Sequence, residues 1–483
     1  MNLNYMIFAG MKVFVLVFLN IGLLLSGCTA QSGAGKMAAF QAKADAYLVK
    51  DDTVRYNSAI LEQGVAMYAS PADKLAEKME CFISWEEIPA FQAMVRQLPT
   101  QKALEVYLEK GDGPWDAGFL ARFVPLKKKG SSQANKARPL AGLRIALDPG
   151  HLGGTMDFAQ NTEKKYVRIE QNRAKGVREE VSFNEGNLTL ATGLELGRLL
   201  REAGAEVLLT RESEGHCALG YGFETWLDME VAALEYGPGS RGPHGFAALK
   251  QQDPKAYKLR CAAANFIRAE QITGTDSIWW VENASERNIY RIPFLKIDFR
   301  ERANKINAFH PDLTLIIHYN IYEKNDADRQ GFLQAVPQNY CMAFIPGSFM
   351  QGELDEPAER LAFLTKLLSN DLERSETLCE AVLKQHVQQL EIPIKAYDPH
   401  LRYLGKASLP TSKPGVFARN LSLTRMINGP LCFGESLYQD NIDECQHLNR
   451  KDFTPKGMKS PVPFRVKAVA QAYFDAVVAW RQQ

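Results

Sequence analysis

The chain has 483 residues, of which 46% are hydrophobic and 23% are charged, and its formal net charge at pH 7 is +1. This length and composition are typical of a globular protein with two or three domains and a large core. The near-zero net charge shows no excess of basic residues and therefore argues against nucleic acid as a partner.

The N-terminus has the pattern of a signal peptide over residues 1–28. An apolar run from Val13 to Leu25 follows Lys12 and ends in small residues before Cys28. The run is too short to span a bilayer comfortably, which favours a signal peptide over a transmembrane helix. The sequence leaves open whether translation starts at Met1 or at Met11, and a start at Met11 would place the first ten residues outside the product.

The LLSGC sequence that ends this run resembles the bacterial lipobox, in which the cysteine becomes the lipidated first residue of the mature chain. The resemblance implies a lipoprotein that is anchored through Cys28, and Thr29 at the next position favours the outer membrane. The alternative is a plain signal peptide with an incidental cysteine. The expected location of the mature protein is the periplasm.

The cysteines after Cys28 show no CxxC pairing, which argues against a zinc site built from cysteine. Disulfides are permitted in a periplasm, but the sequence gives no connectivity. Cys432 lies within the apolar stretch PLCFGE, and we interpret it as a core residue.

Residues 29–37 are small and polar and are interpreted as a tether. Between residues 38 and 127, apolar residues recur at three- and four-residue spacing, which predicts a small all-α domain. The basic, serine-containing stretch at 128–140 is interpreted as a linker. The helical domain has three candidate roles: binding a regulatory protein, holding the following domain shut, or spacing it from the membrane.

From residue 141 onward the pattern changes to that of an α/β domain. The apolar strand Leu143 to Leu147 stops at a Pro-Gly turn, which presents His151 beyond the carboxyl end of the strand. A helix at 187–203 and a strand at 205–210 follow, which predicts a βαβ unit with parallel strands. Long insertions are expected at about 212–295 and 322–429.

Two later strands deliver further polar groups at their ends. The strand at 313–317 is followed by His318 and Asn320, and the apolar strand PLCFGE ends in Glu435. Two imidazoles and a carboxylate, from His151, His318 and Glu185, form a typical catalytic zinc set with a fourth position open for water. A carboxylate at another strand end would move protons, which is the role predicted for Glu435.

Several motifs occur in a specific order: DPGH, ExxLxL at 185–190, Thr210-Arg211, and RxNK before a strand that ends in HxN. This set resembles the zinc-dependent N-acetylmuramoyl-L-alanine amidases of the amidase-3 type over residues 143–483. The resemblance implies a mixed, mostly parallel sheet flanked by helices. It also implies one zinc ion on His151, Glu185 and His318, with Glu435 as the catalytic glutamate.

Alternatives remain open for individual residues. Glu179 and Glu180 are alternative ligands to Glu185. The long polar stretch before them leaves open which of the three glutamates occupies the ligand position of the motif. Glu435 has an alternative role as a structural ion-pair partner, and Glu444 lies nearby in the sequence. Asn320 is a candidate to support a ligand or to contact substrate. Arg302 is a candidate for the same roles, although anchoring its own helix is favoured.

These residues predict a periplasmic enzyme that hydrolyses the amide between N-acetylmuramic acid and L-alanine in peptidoglycan, with zinc as cofactor. The expected partners are peptidoglycan, the membrane through Cys28, and a regulatory protein through the helical domain. The first alternative is another zinc amidohydrolase or carboxypeptidase that acts on stem peptides. The second is a wall-binding scaffold without turnover, motivated by Leu152 and Ser436, where the sequence departs from the family pattern.

Overall fold

The computed structural model describes residues 32–123, 138–171, 176–237 and 246–482. Cys28, the signal-peptide stretch and most of the interpreted linker lie outside these ranges, so their interpretation stays a prediction. The described residues form three sheets. In chain order the strands are β1 (Ser58–Ile60), β2 (Gly64–Met67), β3 (Cys81–Ser84), β4 (Arg144–Pro149), β5 (Tyr166–Ile169), β6 (Val181–Asn184), β7 (Glu206–Leu209), β8 (Leu313–Asn320), β9 (Met342–Pro346), β10 (Ser408–Pro410), β11 (Val416–Arg419) and β12 (Leu431–Tyr438).

The helices of the described ranges surround these sheets. In chain order they are α1 (Gly33–Lys43), α2 (Pro71–Leu75), α3 (Ile88–Gln97), α4 (Thr100–Lys110), α5 (Ala117–Arg122), α6 (Met156–Phe158), α7 (Glu185–Glu202), α8 (Phe223–Tyr236), α9 (Leu249–Gln252), α10 (Pro254–Ala269), α11 (Gly274–Glu282), α12 (Glu286–Ile289), α13 (Leu295–Phe309), α14 (Pro357–Leu367), α15 (Asp371–Leu390), α16 (Ser422–Met426), α17 (Ile442–Leu448) and α18 (Arg465–Arg481). Within the described ranges, no helix combines the length and apolar character that crossing a bilayer requires.

The central sheet has seven strands in the order β10-β11-β9-β12-β8-β4-β7. Strands β7, β4, β8 and β12 run parallel to one another, whereas β12 meets β9 in antiparallel fashion. The sequences of the parallel strands are nearly continuous apolar runs, because helices cover both faces of the sheet. The predicted mixed, mostly parallel sheet flanked by helices is therefore confirmed.

Helices pack on both faces of this sheet. Helices α7, α15 and α18 share one apolar core with residues such as Leu147 and Ile317. On the other face, α13 and the segment around α16 pack against a second core that contains Ile316 and Phe433. The carboxyl ends of β4, β8 and β12 therefore meet at one edge, between the two layers.

The prediction of an all-α region at 38–127 is wrong. Strands β1, β2 and β3 form an antiparallel sheet there, with the side chains of Val65 and Met67 fully buried. The apolar residues after Gly64 alternate with small ones over a short stretch, and this pattern is compatible with either a helix or a strand. The tether is also shorter than predicted, because α1 begins at Gly33 with the Ser32 side chain as its cap.

Residues 322–429 are not an insertion outside the sheet, because they contribute β9, β10 and β11 to it. They also complete the core of the N-terminal region. Phe91 and Met94 belong to the same buried cluster as Phe349, Phe363 and Leu367. The N-terminal region is therefore packed onto this segment and shares its core, rather than forming a domain with a separate one.

The insertion at 212–295 contains helices α8 to α12. These helices contribute to an aromatic cluster beside the edge of the sheet at which β4, β8 and β12 end. Leu152 is fully buried in this cluster with Trp226, Tyr290 and Phe294. The residue after the motif histidine is thus apolar because it anchors the turn against this helical layer. The cysteines of the described ranges, among them Cys432, are all buried and free, which confirms Cys432 as a core residue.

Candidate metal centre

The turn after β4 presents His151 in a strained backbone conformation. Its φ angle is 61°, in the left-handed region that non-glycine residues seldom adopt. The turn is tied to the neighbouring strand, because the Gly150 amide donates to the Ile317 carbonyl at 3.0 Å. Such strain persists only where the surrounding contacts hold the chain in place.

Two buried arginines supply those contacts. Arg211 donates to the carbonyls of Gly150 at 2.8 Å and of Gly186 at 2.7 Å, which joins the turn to the start of α7. Arg302 donates to the Asp148 carboxylate at 2.8 Å and to the His151 carbonyl at 3.3 Å. Its side chain is only 2% exposed. Arg302 therefore lies behind the turn, and substrate contact, one of its predicted alternatives, is contradicted by this burial.

Glu185 is the first residue of α7, where the helix dipole favours a carboxylate. Asn184 precedes it and caps the helix by accepting the Asn187 amide at 2.9 Å. Glu185 Oε1 accepts the Tyr319 amide at 3.1 Å, which fixes the carboxylate over β8. Burial opposes its ionisation, but His151 and other neighbours outweigh burial and hold the pKa of Glu185 well below its ordinary value.

The two histidines converge on this carboxylate. His151 Nε2 and His318 Nδ1 each lie 3.1 Å from Glu185 Oε1, and the two imidazole rings meet edge to face with centroids 4.7 Å apart. One ligand atom from each residue lies within 4.8 Å of the others. Side-chain exposure is 15% for His151, 13% for His318 and 2% for Glu185.

This donor set fits a catalytic zinc ion. His151 Nε2 is buried and faces Glu185 Oε1 at 3.1 Å without forming a well-aligned hydrogen bond, so this ring nitrogen is available to bind a metal. Burial lowers the pKa of His318 to about 4, which keeps its imidazole neutral as a metal ligand requires. Two imidazoles and one carboxylate leave one tetrahedral position open. The structure thus brings together the three residues that the sequence predicts as ligands.

Glu435 lies beside this cluster. It is paired in register with His318 on the neighbouring strand, and successive parallel strands place such residues side by side. Its residue exposure is 9%, and its Oε2 is buried without a hydrogen-bond partner. Burial and the charge of Glu185 raise the pKa of Glu435 to about 7. A carboxyl group with this pKa is suited to take and return a proton near neutral pH.

The alternative carboxylates considered in the sequence analysis lie outside the cluster of His151, Glu185 and His318. Glu179 and Glu180 are exposed, and Glu180 pairs with Arg168 at 3.7 Å. Glu444 forms an ion pair with Arg465, in which Arg465 Nε donates at 2.9 Å. None of these three carboxylates belongs to the cluster of candidate metal ligands.

Asn320 stands at the end of β8. Its side-chain oxygen accepts the amide of the next residue, Ile321, at 2.8 Å, and its register partner is Tyr438. These contacts are local to the strand end.

Glu163 is a buried carboxylate of the site that the sequence analysis does not identify. It accepts the Leu152 amide at 2.9 Å and the Tyr290 hydroxyl at 2.6 Å, and it lies 3.6 Å from His151 Nδ1. Burial opposes its charge, but His151 and these hydrogen bonds lower the pKa of Glu163 to about 2. A carboxylate behind a metal-binding imidazole orients the ring and fixes its tautomer.

Replacement of Gly150 by alanine is expected to weaken zinc binding by at least about tenfold, because an added β-carbon would overlap the His318 ring. The backbone of Gly150 does not have a positive φ, so alanine itself is compatible with the turn. Equilibrium dialysis against zinc would measure the change. The matched control is Gly113→Ala, where a β-carbon meets no atom within 4 Å. Equal zinc affinity for both variants would contradict the close packing of Gly150 on His318.

Comparison with known proteins gives a partial match. No family model matches the chain. The chain is 31% identical over 112 residues to the probable cell wall amidase LytH of Staphylococcus epidermidis, which covers 23% of this chain and 30% of that protein. The chain thus matches less than a third of the length of this curated relative.

Solved structures show similarity at low identity. The CwlD amidase of Clostridioides difficile, solved with the GerS lipoprotein, is 14% identical, with 70% of this chain and 98% of that chain covered and a TM-score of 0.33. The N-acetylmuramyl-L-alanine amidase Ami1 of Mycobacterium smegmatis is 12% identical, with 71% and 99% covered and a TM-score of 0.33.

Proposed function

We propose that this protein is a zinc-dependent peptidoglycan hydrolase that cleaves the amide between N-acetylmuramic acid and the L-alanine of the stem peptide. The observation that carries the proposal is the convergence of His151, Glu185 and His318 at one sheet edge, with Glu435 in register beside His318. The ordered motifs and the local similarity to a probable cell wall amidase support peptidoglycan as the substrate.

Each residue has a role in this reaction. A zinc ion held by His151, Glu185 and His318 would polarise the amide carbonyl and activate a water molecule. Glu435 takes a proton from the attacking water as its oxygen bonds to the carbonyl carbon. Glu435 then returns that proton to the amide nitrogen as the carbon–nitrogen bond breaks, which leaves a muramic acid carboxyl group and a stem peptide with a free amino group.

The remaining residues of the site act by holding this arrangement. Glu163 orients the imidazole of His151, and Arg211 and Arg302 fix the turn that carries it. The two histidines are the ligands that substrate can approach, because their side chains retain 15% and 13% exposure whereas that of Glu185 retains 2%.

We place the enzyme in the periplasm, anchored to the outer membrane through lipidated Cys28. A lipoprotein cysteine that carries several acyl chains gives stable anchoring, and peptidoglycan lies within reach of a tethered domain. A chain expressed with Cys28→Ala should then fail to incorporate radiolabelled palmitate, which the unsubstituted chain should incorporate.

The decisive experiment combines metal analysis with product analysis on the chain from Thr29 onward. We expect one zinc per chain, and release of intact stem peptides with a new L-alanine amino terminus from purified peptidoglycan. Trimmed stem peptides would instead show a carboxypeptidase. Absence of zinc and of any product would show a wall-binding scaffold, and the proposal would be wrong.

A further inference from the structure

The polar segment between His151 and Glu185 places a lysine beside the candidate metal ligands. Lys165 Nζ lies 4.0 Å from Glu185 Oε2. Glu185 Oε1, the other oxygen of the same carboxylate, lies 3.1 Å from His151 Nε2 and 3.1 Å from His318 Nδ1. The ammonium group of Lys165 therefore lies beside the carboxylate oxygen that does not face the two imidazoles.

Backbone pairing fixes the position of Lys165. Strands β5 and β6 are antiparallel, with Tyr166 opposite Asn184. The next position of this register sets Lys165 opposite Glu185, and the Glu185 amide donates to the Lys165 carbonyl at 3.2 Å. The Lys165 amide in turn donates to the Ala159 carbonyl at 3.0 Å. Opposite side chains of an antiparallel pair lie on the same side of it, so the backbone directs the lysine toward the metal ligands.

The ammonium group is accessible and is not bound by the fold. The side chain of Lys165 is 45% exposed, whereas that of Glu185 is 2% exposed. A distance of 4.0 Å is too long for a hydrogen bond, and no residue of the described ranges accepts one from Lys165 Nζ. An ion pair of this length and exposure contributes little to stability. The N–H groups of Lys165 therefore remain available to a ligand at the metal centre.

Lys165 is distinctive among the cations near the site. In the part of the chain that the structure describes, it is the only lysine or arginine within 4.0 Å of a carboxylate oxygen of Glu163, Glu185 or Glu435. The two buried arginines described above lie behind the turn and donate to atoms of the fold. Lys165 thus places a positive charge on the accessible side of the ligand cluster.

We propose that Lys165 is a catalytic residue of the amide hydrolysis, whose ammonium group donates a hydrogen bond to the oxygen of the scissile carbonyl as that oxygen gains negative charge. This inference rests on the proposed function. The scissile carbonyl must lie next to the ligand cluster, because the water activated there attacks its carbon. A donor fixed within 4.0 Å of a ligand oxygen is close enough to contact that carbonyl.

The role of Lys165 in the reaction is electrostatic. As the oxygen of water bonds to the carbonyl carbon, an electron pair of the carbonyl double bond moves onto the carbonyl oxygen. The pair returns when the carbon–nitrogen bond breaks, and the carbon then carries the carboxylate of the product. Lys165 keeps its proton throughout, because Glu435 moves the proton of the attacking water. A donor that is already in place where charge develops lowers the barrier without reorganisation.

The first test compares the hydrolysis of N-acetylmuramoyl-L-Ala-D-Glu by the zinc-loaded wild-type chain and by Lys165→Met. We expect Lys165→Met to lower kcat about 100-fold and to leave KM within about threefold, because the hydrogen bond forms only as charge develops on the oxygen. The zinc content should stay at one ion per chain. Lys165→Arg, which retains the charge and the N–H donors, should recover part of kcat.

Lys164→Met is the matched control, because it removes the same charge from the neighbouring, exposed residue. It should leave kcat, KM and zinc content unchanged. A kcat of Lys165→Met within about threefold of the wild type would overturn the inference. Loss of zinc from Lys165→Met would also overturn it, because Lys165 would then support Glu185 as a ligand. A rise in KM with unchanged kcat would assign Lys165 to a part of the substrate that does not react, and would equally overturn it.

The second test measures binding instead of turnover. Hydrolysis leaves N-acetylmuramic acid with a carboxylate at the reacting carbon, and the alcohol made by reducing this carboxylate is a neutral analogue that cannot be hydrolysed. Calorimetry on the zinc-loaded chain should show that Lys165→Met weakens binding of the acid about tenfold and leaves binding of the alcohol unchanged, because only the acid loses a charge-assisted hydrogen bond. A merely structural role of Lys165 would weaken binding of both compounds equally.

Failure of the proposed function is distinguishable from failure of this inference. If the wild-type chain does not cleave the substrate, the amidase assignment fails, and the calorimetric comparison alone decides on Lys165. Tighter binding of the acid than of the alcohol, lost in Lys165→Met, would support Lys165 as the group that binds an anion at the ligand cluster. Equal affinities of the wild-type chain for acid and alcohol would overturn it, and this comparison does not require any variant to fold.

Discussion

Replacement of Glu435 by glutamine is expected to reduce amide hydrolysis by at least about 100-fold while leaving the zinc content at one ion per chain. Glutamine has nearly the same shape and retains the position beside His318, but it cannot take a proton from water. Glu435 makes no hydrogen bond through its buried Oε2, so the substitution leaves no structural partner unsatisfied. Stem-peptide release from purified peptidoglycan, with metal analysis of the same sample, measures both quantities.

The control for this substitution is Glu179→Gln, which removes the carboxylate of an exposed alternative ligand candidate that lies outside the cluster of His151, Glu185 and His318. It should retain full activity and full zinc content. Activity of Glu435→Gln within about threefold of the wild type would show that another group moves the proton, and the assignment of the base would be wrong. Loss of zinc in Glu435→Gln would instead make Glu435 a ligand.

The positions of the candidate ligands could be predicted from the sequence because each one lies next to the end of a strand or the start of a helix that the sequence pattern marks. His151 follows the Pro-Gly turn, His318 follows an apolar run, and Glu185 precedes the first turn of an amphipathic helix. Parallel strands bring their carboxyl ends to one edge, so residues at those ends converge whatever lies between them in the chain. This rule explains why insertions of many residues did not obscure the site.

Other residues carry no such local signal. Glu163 lies in a polar stretch without hydrophobic periodicity, and its role depends on Tyr290 in a distant helical layer. The strands at 58–84 were predicted as helices because short apolar runs fit both periodicities, and tertiary packing against residues 349–372 decides between them.

Replacement of His318 by alanine is expected to abolish zinc binding at micromolar metal and to reduce activity below detection. The variant loses one of three protein ligands and also the ring that packs against Gly150 and Phe433. A ligand that binds only the folded state stabilises it by about 2.7 kcal/mol when its concentration is 100 times its Kd. Zinc should therefore raise the melting temperature of the wild-type chain and leave that of His318→Ala unchanged.

The comparison of melting temperatures with and without zinc separates a metal ligand from a residue that only fills the core. A core residue would lower both temperatures equally and preserve their difference, whereas a ligand removes the difference itself. His400→Ala is the matched control, because His400 is exposed and lies outside the cluster of candidate ligands. If zinc stabilised His318→Ala as much as it stabilises the wild-type chain, the metal would bind elsewhere, and the convergence of His151, Glu185 and His318 would have to be explained without it.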